Sequence, residues 1–204
     1  METKSIISRI PLFTASLLLL CVVSSKFDSL SSLFVYDRVE ILKGELWRLF
    51  TSHFVHFNDI HLIYNLIAFC VVGWIIEYKE YRFFKLLCLL MACSISIVMI
   101  AFKQDMSYFG GLSGMVCGAI AYFSLQSIHE QEPWRTISIL TIIFLFVKVG
   151  LEIYNNGSIL PYWETQDFVP IPLSHFTGIL MAVIFFVMQR IYVVGKMRHN
   201  NLLH

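Results

Sequence analysis

The sequence predicts an all-α polytopic membrane protein, a bundle of six transmembrane helices. Hydrophobic residues make up 57% of the 204 residues and charged residues only 14%, whereas soluble domains are about 45–50% apolar and about 25% charged. The mean hydropathy is +0.71. Six spans of about 20 residues each would use about 120 residues, close to the apolar share of the chain. This composition excludes a soluble enzyme and a disordered chain, and the net charge of +1 argues against a nucleic-acid partner.

Six apolar stretches follow one another along the chain, each about long enough to cross a bilayer as a helix. They lie at roughly 8–25, 60–77, 83–101, 110–128, 136–152 and 172–194. Polar breaks separate them at 26–59, 77–82, 103–107, 129–135 and 154–170. No Pro/Gly/Ser-rich linker, repeat or low-complexity tract interrupts the pattern. We therefore expect residues 1–204 to form one membrane domain.

The first apolar stretch has a second interpretation. Lys4 and Arg9 precede it, and the small residues Ser24 and Ser25 follow it. This arrangement is also typical of a cleaved signal peptide, so the sequence leaves open whether the first span is retained.

The distribution of Lys and Arg residues indicates the orientation in the membrane. If the N-terminus is cytoplasmic, the inner side collects Lys4, Arg9, Lys79, Arg82, Lys85, Arg135, Arg190, Lys196 and Arg198. The outer side receives Lys26, Arg38, Lys43, Arg48 and Lys103. The excess on the first side predicts that both termini are cytoplasmic and that the loops 26–59 and 153–171 face outward.

The cysteines indicate neither disulfides nor a metal site. All five lie in apolar stretches, and no two form a CxxC pair: Cys21, Cys70, Cys88, Cys93 and Cys117. Free thiols packed between helices are the expected state. We expect no metal and no cofactor.

A serine between glycines opens the fourth stretch, in the segment Gly110-Gly111-Leu112-Ser113-Gly114. The glycines allow close backbone approach and leave the hydroxyl accessible. Gly114 and Gly118 also form a small-xxx-small pair suited to tight helix packing. The pattern therefore fits either a nucleophile or a purely structural packing motif.

His175 lies near the outer end of the sixth stretch, at the same expected depth as Ser113. Gly178 follows one turn later and would allow the fourth and sixth helices to approach closely. A serine needs a base within about 2.6–3.2 Å to become a nucleophile. His175 fits that role, although a hydrogen-bonded helix linker is the alternative.

Two further pairs are spaced four residues apart, which places each pair on one helix face. His61 and Asn65 can both donate hydrogen bonds to a developing oxyanion, or can cap and link helices. Lys148 and Glu152 can form an ion pair that lessens the cost of burying either charge. No carboxylate is expected near enough to orient His175, so the sequence predicts a Ser–His dyad rather than a triad.

Together these motifs resemble the rhomboid family of intramembrane serine proteases. Trp47 and Arg48, followed by His56, resemble the family's WR loop, and His61 with Asn65 resembles its HxxxN helix. Its nucleophile motif corresponds to Gly111-Leu112-Ser113-Gly114, and its histidine helix to His175-Phe176-Thr177-Gly178. Glu77 matches a family glutamate at the cytoplasmic end of its helix. The resemblance covers about residues 40–190.

The resemblance implies that Ser113 is the nucleophile and His175 the general base and acid. It implies an oxyanion and substrate site formed by the backbone N–H of Ser113 with His61, Asn65, Gly111 and Leu112. Structural roles would fall to Trp47, Arg48, His56, Glu77, Gly114, Gly178, Lys148 and Glu152. Trp47 and Arg48 would anchor the outer loop at the membrane interface, and residues 153–171 would cap the site.

A narrower resemblance is to rhombosortases, a compact bacterial branch that processes C-terminal GlyGly-containing sorting helices. It rests on the GLSG motif and on Lys148-Val149-Gly150-Leu151-Glu152. Cys117 departs from it, because histidine is frequent there in that branch and an aromatic is frequent in the wider family. His175 could therefore be held less firmly. Ala182 stands where a second glycine is common.

These resemblances imply a monomeric enzyme of the bacterial inner membrane that cuts single-pass membrane proteins near the outer end of their transmembrane helix. Its partners would be transmembrane substrates and the lipid bilayer. Three alternatives remain: a general rhomboid protease with other substrates, a catalytically inactive client-binding relative, and a small transporter. A transporter would favour inverted repeats and charges at the midplane, which the sequence lacks.

Overall fold

The computed structural model describes residues 10–155 and 171–201, with side chains as far as Tyr192. Its helices are α1 (Leu12–Lys26), α2 (Asp28–Phe34), α3 (Arg38–Leu42), α4 (Arg48–Thr51), α5 (Asp59–Tyr78), α6 (Phe84–Phe102), α7 (Ser113–Ser127), α8 (Trp134–Asn155) and α9 (Pro172–Asn201). Two short strands, β1 (Tyr36–Asp37) and β2 (Tyr108–Phe109), pair antiparallel. The predicted all-α polytopic class is confirmed.

Four helices in the described part of the chain are long and apolar enough to cross a membrane: α5, α6, α8 and α9. A fifth candidate is the pair α1 and α2, which is bent by 113°. The fourth predicted stretch, 110–128, is helical only as α7, whose 15 residues are fewer than a span of ordinary length needs. The count of six spans thus stays a prediction. Helix α7 begins three residues later than the predicted stretch.

The core lies around α7, which packs against α5, α6, α8 and α9. Most of its residues are buried, because small residues let its neighbours approach. A Cβ at Gly178 on α9 would overlap the Gly114 carbonyl of α7, and one at Gly118 would lie 2.6 Å from the Gly178 oxygen. The backbones of α7 and α9 are therefore in direct contact, an arrangement that requires these glycines.

Glu77, near the end of α5, caps the beginning of α1. Its carboxylate accepts hydrogen bonds from the Thr14 backbone N–H at 2.7 Å, the Thr14 hydroxyl at 2.5 Å and the Phe13 N–H at 3.3 Å. These amides belong to the first turn of α1, where no intrahelical acceptor exists. The glutamate thus fixes the first helix to the rest of the bundle.

Glu77→Ala is expected to lower the free energy of unfolding by about 1–2 kcal/mol, because the amides at the start of α1 lose their acceptor. Thermal unfolding in detergent measures the change. Glu40→Ala, which removes a surface ion pair with Lys43, is the control and should cost about 0.5 kcal/mol or less. Equal unfolding temperatures for the two variants would contradict the capping role.

The segment between α2 and α5 is held by Arg48, which is only 7% exposed. Its Nη1 donates to the Ser32 and Val35 carbonyls, both at 2.8 Å, and its Nε donates to Glu45 at 2.6 Å. Trp47 is half-exposed and donates from Nε1 to the Leu33 carbonyl. Arg48, predicted to anchor this loop at the membrane interface, is therefore buried inside the protein. Its guanidinium supplies the hydrogen-bond donors that the carbonyls at the end of α2 lack.

The strand pair connects the segment between α2 and α5 to the beginning of α7. Tyr36 pairs with Phe109 and Asp37 with Tyr108, and the Arg38 N–H donates to the Ser107 carbonyl at 3.1 Å. The pairing fixes the position of residues 110–112, which immediately precede Ser113. The outer loop predicted at 153–171 begins as the last turn of α8, and residues 156–170 lie outside the described residues.

Candidate active site

Ser113 is the first residue of α7, and a glycine turn places it there. Gly111 has φ +124°, a left-handed conformation that favours glycine. A Cβ at this position would also lie 2.6 Å from Cε1 of His61. The chain can therefore turn sharply under His61 before α7 begins, which leaves the Ser113 side chain half-buried at the helix N-terminus.

His175, in the first turn of α9, faces Ser113. Its Nε2 lies 3.0 Å from the Ser113 Oγ, and the imidazole is 4% exposed. The distance is within the range for proton transfer between a serine and its base. The direct contact between α7 and α9 at Gly114 and Gly178 brings the two residues together.

The expectation that no carboxylate reaches His175 is wrong. Glu152 Oε2 lies 2.7 Å from His175 Nδ1, and the carboxylate is 2% exposed. Helices α8 and α9 follow one another with opposite directions across the membrane, so the last turn of α8 meets the first turn of α9. The sequence signal for this contact is that consecutive spans run in opposite directions, which places the end of one span and the beginning of the next on the same side of the membrane.

Lys148, one turn before Glu152, completes a buried charged group. Its Nζ lies 2.6 Å from Glu152 Oε1 and 3.1 Å from His175 Nδ1. The ion pair predicted from the i,i+4 spacing is present. His175 is thus held by contacts from α8, not loosely as the cysteine at position 117 suggested.

Asn65 and His56 form a second polar group beside the glycine turn. His56 Nδ1 lies 3.2 Å from the Phe54 carbonyl, which requires Nδ1 to be the donor. Its Nε2 is then an acceptor for the Asn65 amide at 3.1 Å and the Leu112 N–H at 3.3 Å. Burial lowers the pKa of His56 to about 4, so the ring is neutral at pH 7, as this arrangement requires.

His61 lies next to this group, with its ring centroid 5.1 Å from that of His56. It is buried and packs over Gly111. The sequence-predicted residues His61, Asn65, Gly111 and Leu112 therefore surround the turn that leads to Ser113. The Leu112 N–H is engaged by His56, which makes it a structural contact.

Sequence reasoning missed His53, a fully buried residue that supports the turn. Its Nε2 contacts the Ala92 carbonyl at 2.9 Å and its Nδ1 the Gly111 carbonyl at 3.3 Å. Burial lowers the pKa of His53 from its ordinary value. The only signal was a second histidine three residues before His56, and that spacing alone assigns no role.

No three His, Cys, Asp or Glu side chains among residues 10–155 and 171–192 are grouped to hold an ion. The five cysteines are free thiols.

Comparison with known proteins agrees with this arrangement. The profile of the Rhomboid domain matches residues 43–191. The "Rhomboid protease GlpG" of Salmonella choleraesuis (strain SC-B67) is 30% identical over 111 residues, which cover 54% of this chain and 39% of that protein. The protein of the same name from Salmonella paratyphi A (strain ATCC 9150 / SARB42) is 30% identical over 123 residues, 60% of this chain and 41% of that protein. The chain spans about two fifths of the length of these relatives. It belongs to the rhomboid family.

Proposed function

We propose that this protein is an intramembrane serine endopeptidase. The observation that carries the proposal is the contact of 3.0 Å between Ser113 Oγ and His175 Nε2 at the N-terminus of a buried helix. The matched family profile and the relatives named as proteases support it. A client-binding protein without catalytic activity would not need this geometry.

The chemistry follows from the site. Ser113 Oγ attacks the carbonyl carbon of the scissile peptide while His175 Nε2 takes the hydroxyl proton. The C–N bond then breaks, and the same proton passes to the leaving amine. Water attacks the acyl carbon and gives a proton to His175. The bond between this carbon and Ser113 Oγ then breaks, and His175 returns the proton to Ser113 Oγ as the acid product leaves.

Donors for the oxyanion come from α7 and α5. Leu112, the residue preceding α7, has no side chain that caps the helix, so the first backbone N–H groups of α7 are available. The Asn65 amide uses one hydrogen on His56 and retains another. His61 lies over the same turn. Such donors stabilise the charge that develops on the carbonyl oxygen.

A fluorescent fluorophosphonate tests the proposal, because it labels only an activated serine. Wild type in detergent is expected to be labelled, and His175→Ala, checked for folding by thermal unfolding, is expected not to be. The absence of labelling in folded wild type, repeated in lipid, would favour a client-binding relative without activity.

Asn65→Ala is expected to lower kcat about 10²–10³-fold, because one oxyanion donor is lost. His56 orients Asn65 and also accepts from the Leu112 N–H, so the loss in His56→Ala with Asn65→Ala should be smaller than the product of the two single losses. Cleavage of a transmembrane substrate, normalised to folded protein, measures both effects. Additive losses would show that His56 acts separately from Asn65.

We further propose that the substrates are single-pass membrane proteins with C-terminal GlyGly-containing helices, as in rhombosortases. The GLSG motif and the Lys148–Glu152 segment support this assignment. The Lys/Arg distribution supports cytoplasmic termini and a site open to the outer face. As the resemblance implies, we also propose that the enzyme is a monomer of the bacterial inner membrane. Parallel cleavage assays with one helix carrying or lacking the GlyGly pair test the preference, and equal rates would favour a general rhomboid protease.

A further inference from the structure

We propose that Glu152 is a positioning residue for His175, which extends the catalytic pair to a Ser113–His175–Glu152 triad with Lys148 as its counter-ion. The inference rests on the proposed function and deepens it. It assigns Glu152 and Lys148 a part in catalysis in place of the purely structural one that their spacing suggests.

The hydrogen bonds decide which nitrogen of His175 carries the proton. Glu152 Oε2, 2.7 Å from Nδ1, can only accept when ionised, so Nδ1 is the donor. Nε2 is then unprotonated and can take the Ser113 proton across 3.0 Å. A donor beside Nδ1 in place of the carboxylate would select the opposite tautomer, which cannot act as the base.

Lys148 is such a donor, at 3.1 Å from Nδ1, but its closest partner is Glu152 Oε1 at 2.6 Å. The ion pair keeps the carboxylate ionised in a buried site. A purely structural ion pair would need only one carboxylate oxygen. Here the second oxygen makes a short bond to the imidazole, typical of a charge-assisted hydrogen bond.

Other titratable groups near His175 are few in the described part of the chain. Cys117 on α7 is buried and close enough to interact with both Lys148 and Glu152. His61 on α5 packs over Gly111, beside the turn that leads to Ser113. Lys148 and Glu152 both contact Nδ1 directly and set the local charge at that atom.

The charge balance predicts how each substitution moves the pH profile. Lys148, Glu152 and a neutral His175 together carry a net charge of zero, and protonation of His175 raises it to +1. The acid limb of the profile is the pH range in which the rate rises as His175 loses its proton. Without the Lys148 cation, the carboxylate favours the imidazolium, so this acid limb moves to higher pH. Without the Glu152 carboxylate the lone ammonium opposes the imidazolium, so the limb moves to lower pH.

The rate of fluorophosphonate labelling between pH 5 and 8.5 measures these effects in Lys148→Met, Glu152→Gln and the double variant. At pH 7.5, Glu152→Gln is expected to be labelled about 10²-fold more slowly or worse, because the amide can donate to Nδ1. Lys148→Met should move the acid limb up by about one pH unit or more. The double variant should return the limb toward the wild-type position without restoring the rate.

Glu130→Gln is the matched control. Glu130 pairs with Lys79 at 2.6 Å, the same distance as in the proposed site, but it follows the opposite end of α7. It should leave both rate and limb unchanged. Glu152→Asp, which keeps a carboxylate, should be labelled faster than Glu152→Gln.

Unchanged acid limbs, with rates per folded protein equal to wild type and only lower unfolding temperatures, would overturn the triad and leave a structural ion pair. If Glu152→Gln fails to fold, the position of the acid limb in Lys148→Met still tests the triad. A failure of wild type itself to be labelled would instead refute the proposed function.

Discussion

Ser113→Ala is expected to abolish cleavage of a transmembrane substrate, with kcat falling about 10⁴-fold or more. The loss removes the covalent step itself, whereas the remaining donors can only polarise the substrate. The alanine fits the space of the serine, so the unfolding temperature should stay near that of wild type. Turnover measured by gel and mass spectrometry of the products provides the test.

Ser124→Ala is the matched control for this prediction. Ser124 lies on the same helix and is fully buried, and the structure gives its hydroxyl no role in the site. Its turnover should match wild type. Equal cleavage by Ser113→Ala and Ser124→Ala would refute the assignment of the nucleophile.

Gly178→Ala is expected to prevent or severely weaken folding. The added methyl would overlap the Gly114 carbonyl on α7, and a backbone cannot yield as the end of a flexible side chain does. The cost is about 3 kcal/mol or more, at the upper end for an overpacked core. Yield of folded protein and thermal unfolding in detergent measure it.

Gly150→Ala on α8 controls for the change of glycine to alanine in a helix. Nothing lies within 4 Å of a Cβ built there, and alanine favours helix by about 1 kcal/mol over glycine. This variant should be as stable as wild type or more so. A wild-type unfolding temperature for Gly178→Ala would mean that α7 and α9 are not in backbone contact.

The positions of the apolar helices could be predicted from the sequence because a bilayer demands long uninterrupted apolar stretches. The predicted 60–77 and 83–101 became Asp59–Tyr78 and Phe84–Phe102. The start of α7 was harder to predict, because it depends on the positive φ of Gly111, a backbone property that composition does not encode.

The candidate site was predictable where a residue type is rare inside a membrane. Ser113 and His175 stood out for that reason, and the structure places them in contact. Glu152 is also a residue type that is rare inside a membrane, but its pairing with His175 follows only when the opposite directions of α8 and α9 are taken into account. His53 and Arg48 bind backbone carbonyls of distant segments, and such contacts exist only once the chain has folded.

The shortness of α7 determines how deep the proposed cleavage takes place. A helix of 15 residues rises about 22 Å, some 8 Å less than the hydrocarbon thickness of about 30 Å. Because α7 is enclosed by α5, α6, α8 and α9, protein and water, and not lipid tails, must fill the missing length at its first turn. The length of one helix, more than any loop, would then set where a substrate helix meets water and is cut.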